Sequence, residues 1–188
     1  STVVNNEAKY IFTGDNTFVA ALNISPYLFD MPTVFIESRN KAICKVLPMS
    51  TGNRPADGGH LIIEDKDYDE FVDKEPSAKK YIKKLTGSTE FINNKRRYCL
   101  WLVGINPKEL RGMPEVLKRV ELCRQDRLNG APDRQKLADT PTLFRETKNP
   151  KFYIIIPSVS SENRRYVPMG FLNQDTIPTN LAKIIENA

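Results

Sequence analysis

The stretch FYIIIPSVSSENRRYVPMGF, residues 152–171, begins as a buried strand should and then changes character. Phe152–Ile156 is aromatic and β-branched, which reads as a strand. Ser160, Ser161, Glu162, Asn163, Arg164 and Arg165 follow, a run of hydrogen-bonding side chains. Tyr166, Val167, Pro168, Met169 and Phe171 are apolar again, so Arg165–Phe171 is predicted to be a further strand.

Upstream, Arg97–Val103 (RYCLWLV) is predicted to be another strand and His60–Ile63 a short one. The first 58 residues read as irregular, with short extended pieces such as Thr33–Glu37. Pro114–Leu128 is the clearest helix. Met113, Val116, Leu117, Val120 and Cys123 recur at helical spacing and mark a buried stripe, while Lys118, Arg119, Arg124 and Arg127 occupy much of the rest. Two short helices meeting near Pro76 are expected between Glu64 and Gly87, the first solvated except for Tyr68, Phe71 and Val72. A helical turn at Pro107–Arg111 and a short helix in DRQKLADTP (133–141) complete the set. Strands and helices mix without strict alternation, which defines an α+β fold with a small mixed sheet and several short helices.

A chain of 188 residues suits one domain with a real core. No apolar run approaches the roughly 20 residues of a membrane helix, and the first residues lack the pattern of a secretory leader. A cytoplasmic protein without a membrane partner is expected. Cys44, Cys99 and Cys123 form no CxxC pair and His60 is the single histidine, so neither a disulfide framework nor a metal site is expected. The cysteines read as core filler. No dinucleotide loop, phosphate loop or nucleophile elbow occurs. Asp57 stands close enough in sequence to orient His60, but no nucleophile accompanies them, and no catalytic residue is predicted.

The net charge of +5 conceals an asymmetry. Residues 1–76 hold 7 Lys/Arg against 12 Asp/Glu, and residues 77–188 hold 21 against 11. A basic part of this kind attracts polyanions, docks an acidic protein, or is simply a solvated mixed surface. Lys79, Lys80, Lys83 and Lys84 repeat along one side of a predicted helix, as a phosphate-facing ridge or a solvated face. Arg134, Lys136, Arg145, Lys148 and Lys151 crowd the loops before Phe152. Within Ser160–Arg165, arginine forks fit the guanine edge, and Ser, Asn and Glu supply the remaining donors and acceptors. On composition alone, a polar hairpin turn is the simpler reading of that stretch.

The order of the motifs adds a resemblance. PADGGHLII (55–63), AKKYIKKLTGSTEFINNKRRYCLWL (78–102), PEVLKRVELCRQDR (114–127), KLADTPTLF (136–144) and IPSVSSENRRYVPMGFL (156–172) occur in sequence. From roughly Ile24 onward the chain resembles the target-recognition domain of the MmeI-like fused restriction–modification enzymes, a group of class I adenine-specific DNA methyltransferases. That resemblance implies a piece of a larger protein: residues 1–188 as a single DNA-specificity domain, with 1–30 as an interdomain linker. It implies double-stranded DNA and the methyltransferase domain of the same chain as partners. S-adenosylmethionine would be the cofactor of the parent enzyme, with none held here. By position in the motif, Ser160, Ser161, Glu162, Arg164 and Arg165 are the expected base contacts. Lys136 and Arg145, flanking KLADTP, join Lys79, Lys80, Arg134 and Lys148 as expected DNA-backbone contacts. Pro132-Asp133 with Gln135-Lys136 lacks the second acid of a nuclease motif, so cleavage by the parent stays open. The alternative is a protein-interaction module with a basic docking face.

Overall fold

The computed structural model describes residues 8–14, 17–35, 37–39 and 42–188, which fall into two compact units divided between Val46 and Leu47. In the first unit, β1 (Lys9–Phe12) and β2 (Phe18–Ala21) pair as an antiparallel hairpin, Phe12 opposite Phe18. Gly14 takes φ +79° in its turn. Asp30 Oδ1 accepts from the Leu22 and Asn23 amides, both at 3.0 Å, and ties down the loop that follows. Thr33–Phe35 and Glu37, read as a short extended piece, carry no regular secondary structure; Ile36 lies outside the described residues, as do 1–7, 15 and 16 of the expected linker.

The second unit is α+β. In chain order it comprises β3 (Met49–Thr51), β4 (Ile62–Glu64), α1 (Tyr68–Lys74), a 3-10 turn (Pro76–Tyr81), β5 (Ile82–Thr86), α2 (Ser88–Asn93) and β6 (Arg97–Leu100). There follow α3 (Pro107–Arg111), α4 (Pro114–Leu128), α5 (Pro132–Gln135), β7 (Phe152–Pro157), β8 (Gly170–Asn173), β9 (Thr176–Pro178) and β10 (Ala182–Glu186). One sheet has the order β4-β6-β5-β9, antiparallel except for the parallel β5–β9 pair. Its core buries Leu61, Ile63, Leu85, Leu100 and Ile177 against Val116, Val120 and Cys123 of α4. Each such aliphatic side chain contributes about 1.5–3 kcal/mol.

The other sheet, β3-β10-β7-β8, is wholly antiparallel and packs Tyr153, Ile155, Ala182 and Ile184 against Phe91 of α2. Tyr153 Oη donates to Thr176 O at 2.7 Å, and Thr179 bridges Asn53 where the chain passes from β9 to β10. Asn53, fully buried, accepts from Lys148 N at 2.6 Å and donates to Lys148 O at 2.8 Å and Pro178 O at 3.1 Å.

Several expectations need correction. Lys79, Lys80, Lys83 and Lys84 do not share a helix: the first two lie on the 3-10 turn and the others on β5. Tyr81 O accepts from Trp101 N at 2.7 Å, which draws the chain into the sheet and overrides the local lysine pattern. Gly87 precedes α2 rather than ending a helix, and the Glu90 carboxylate accepts from its amide at 2.8 Å. The strand expected at Arg165–Phe171 starts only at Gly170. Ile155 pairs with Gly170, so a longer ladder would set Pro168 against Pro157, and neither has an N–H to give.

Candidate nucleic-acid interface

The β7–β8 connection starts from a fixed base. Ser158 N donates to Leu181 O at 3.2 Å and to Ser88 Oγ at 3.0 Å. Beyond that anchor, Ser160 through Arg165 are all exposed. The bonds within the run are local: Ser161 Oγ accepts from Asn163 N at 3.2 Å and Ser161 O from Arg164 N at 3.1 Å, a serine-nucleated turn. The Arg165 guanidinium lies 5.4 Å from the centre of the Tyr166 ring. Among the described residues, no carboxylate lies within ion-pair distance of Arg164 or Arg165, and no cation within that distance of Glu162. The donors and acceptors of this loop are therefore available to a ligand. Apolar side chains frame them: Tyr166 is 74% and Phe171 77% exposed, with Val159, Val167 and Met169 also uncovered.

The six expected backbone contacts meet different fates. Lys79 is exposed and makes no ion pair among the described residues. Lys80 Nζ sits 2.7 Å from Glu109, whose carboxylate also accepts from the Tyr81 hydroxyl. The Lys80 hydrogen bond, followed by that of Tyr81, holds the Glu109 carboxyl below its ordinary value. Lys136 pairs with Asp133 at 3.0 Å on α5 and the turn after it. Lys148 Nζ donates to Thr51 O at 2.7 Å and Ser50 Oγ at 3.1 Å, a tether to β3. Arg134 bonds Asp126, and its Nε is buried without an acceptor. Arg145 stands 3.6 Å from Glu146. Arg134 and Arg145 come together, lining one concavity of about 460 Å³ with Arg54, Ala56 and Gly58. Lys80 instead lines a separate hollow with Lys83, Lys84, Tyr68 and Tyr98.

Arg127, expected on the solvated side of α4, is 0% exposed. All five of its N–H groups are satisfied by main-chain carbonyls. Nε donates to Ala56 O (2.9 Å), Nη1 to Leu137 O and Thr140 O (2.8 Å each), and Nη2 to Pro55 O (3.2 Å) and Leu143 O (2.6 Å). Val116, Val120, Cys123 and Arg127 form the buried stripe of α4, whereas Leu117 is exposed. Helical spacing from Cys123 contained that signal, but the charge concealed it.

The same cage explains two further segments. Ala56 takes φ +48°, followed by Gly58 at +65° and Gly59 at +86°, and Asp57 accepts from Gly59 N at 3.1 Å and Leu61 N at 2.6 Å. Asp57 therefore clamps the turn, and makes no hydrogen bond to the His60 ring. A Cβ on Gly58 would lie 2.6 Å from the Asp126 carboxyl carbon, so any other residue would have to displace that side chain as well as adopt the positive φ. Burial pushes the Cys99 thiol up to about 12 and that of Cys123 up to about 11. Cys44, read as core filler, is exposed. Among the described residues, no cluster of His, Cys, Asp and Glu suits a metal ion, and no helix is long and apolar enough to cross a membrane.

The sequence profile described as MmeI, target recognition domain, matches residues 30–188. The chain belongs to this family of target recognition domains. A relative, DNA methyltransferase A of Bacillus subtilis (strain 168), is 40% identical over 182 residues, covering 96% of this chain and 21% of the relative. The Type IIL restriction-modification enzyme MmeI, solved in complex with DNA, superposes with a TM-score of 0.82 at 36% identity, over 97% of this chain and 25% of that one. The chain thus spans about a fifth of one relative and a quarter of the other.

Proposed function

We propose that this chain is the DNA-specificity domain of a fused methyltransferase or restriction–modification enzyme. Ser160, Ser161, Glu162, Arg164 and Arg165 read base edges, and the domain as a whole, residues 1–188, holds the duplex. The observation that carries this reading is the β7–β8 loop: its stem is pinned at Ser158, and its polar side chains are exposed without ion-pair partners among the described residues. An arginine fork matches guanine O6 and N7, a glutamate accepts from the cytosine amine, and serine serves either. Arg134, Arg145, Lys136 and Lys79 contact phosphates, which position the protein without reading sequence. Lys80 and Lys148, already bonded to Glu109 and Thr51, add to the attracting field.

Family membership and the likeness to an enzyme solved with DNA support the reading. The protein partner is the methyltransferase portion of the parent chain, acting in the cytoplasm with S-adenosylmethionine. It methylates the exocyclic amine of an adenine that it first extrudes from the stack. Selection of bound duplexes from a randomised library tests the proposal: one short motif is expected to be enriched, and recovery of duplexes without a shared motif would refute base reading.

A further inference from the structure

We propose that Arg54 and Arg145 form a clamp on the phosphodiester backbone of DNA, with Glu146 as their positioning residue; the inference rests on the DNA-recognition reading above. Arg54 lies in the acid-rich first part of the chain, away in sequence from the basic clusters after residue 77. It forms the wall shared by two hollows. One, of about 460 Å³, is also bounded by Arg134 and Arg145, and the other, of about 200 Å³, by Glu146 and Lys148.

The two arginines are locked together through their main chains. Arg145 N donates to Arg54 O at 2.9 Å, and Arg54 N donates to Glu146 Oε2 at 2.8 Å. The other Glu146 oxygen lies 3.6 Å from Arg145 Nε. One carboxylate is thus divided between an amide and the inner nitrogen of a guanidinium, and neither arginine is neutralised outright. Among the described residues, the Arg54 guanidinium has no carboxylate within ion-pair distance. Next in the chain, Pro55 and Ala56 are held by the buried Arg127, so the turn carrying Arg54 is rigid before any ligand arrives. Exposed, planar, donor-rich groups on a fixed backbone suit phosphate oxygens, which guanidinium forks bind with two parallel bonds.

The test measures duplex affinity against salt concentration for the unmodified protein, Arg54→Ala/Arg145→Ala and Arg54→Lys. Each is assayed with a preferred and an unrelated duplex. Each phosphate contact contributes about 0.9 to the salt slope. The double variant is expected to flatten the slope by about 2 and weaken both duplexes in parallel, leaving their affinity ratio unchanged. Arg54→Lys should keep the slope, because it keeps the charge. An unchanged slope, or a falling ratio, overturns the clamp. Inorganic phosphate at matched ionic strength should compete poorly; effective competition would mark a site for free phosphate instead. If the double variant does not fold, Arg54→Gln retains both main-chain bonds, and its slope should fall by about 1. Binding without any preferred sequence would refute the recognition reading while the slope change still upheld the clamp. Failure of the unmodified protein to bind any duplex would overturn both.

Discussion

Arg127 and Arg164 lie 37 positions apart in one chain and live in opposite surroundings. Arg127 is sealed off, with every N–H directed at a main-chain carbonyl from residues 55–56 or 137–143. Arg164 is exposed, and its side chain makes no ion pair among the described residues. Removing the first strands five buried acceptors; removing the second strands nothing until a ligand is present. The same side chain therefore serves cohesion in one place and recognition in the other. Its surroundings decide which, and its charge does not.

The comparison also separates the motifs. PADGG supplies Pro55 and Ala56, the α4 segment supplies Arg127, and KLADTPTLF supplies Leu137, Thr140 and Leu143. Three of the stretches that carry the family resemblance thus build one hydrogen-bonded cage. The cage and the loop to which base reading is assigned belong to different motif stretches, the loop to IPSVSSENRRYVPMGFL (156–172).

The largest effect should come from breaking the cage. Arg127→Met is expected to cost at least about 3 kcal/mol of stability in urea denaturation, because a buried set of acceptors loses its donors. A midpoint equal to that of the unmodified protein would dissolve the contrast between the two arginines.

Next comes alkaline pH. An unfolded thiol titrates near 9.0, whereas burial holds Cys99 at about 12 and Cys123 at about 11. The unfolded chain therefore releases these protons first, so stability is full below pH 9 and falls as pH rises through the folded values. Replacing both cysteines with valine should flatten that decline between pH 9 and 12. Alkylation of the native protein near pH 8 should modify Cys44 alone.

A smaller gain is expected at the cage wall. Ala56 holds φ +48°, a conformation that costs an L-residue about 1–2 kcal/mol and glycine little. Against the entropy of a freer unfolded chain, Ala56→Gly should raise stability by about 0.5 kcal/mol, read from the denaturation midpoint. Lys80→Ala should do least. Its ammonium is exposed and already faces Glu109, so equilibrium binding should show all duplexes weakened alike, by about two- to threefold at most.

Local regularities were legible in the sequence. Phe152–Ile156 announced β7 by its β-branched run, and Pro114–Leu128 announced α4 by its period and its initial proline. The exposed polar loop was legible too, since a row of six hydrogen-bonding residues has no place in a core. Features settled by distant partners were not. Arg127 meets carbonyls up to 72 positions away, so its burial follows only from packing. The lysines of 79–84 have helical spacing, yet pairing with Cys99 and Tyr98 of β6 and with Thr176 of β9 draws Lys83 and Lys84 into a sheet and leaves Lys79 and Lys80 on the 3-10 turn. Arg54 stands alone in sequence, with no other cation between Lys45 and Lys66, whereas in space it lines a hollow beside two other arginines.

Competition binding with duplexes substituted one base pair at a time, comparing the unmodified protein with Arg164→Ala, probes the central claim directly. Preference at one base pair should relax by about 1–3 kcal/mol while the denaturation midpoint stays in place. Discrimination unchanged at every position of the site would contradict the assignment of base reading to this loop.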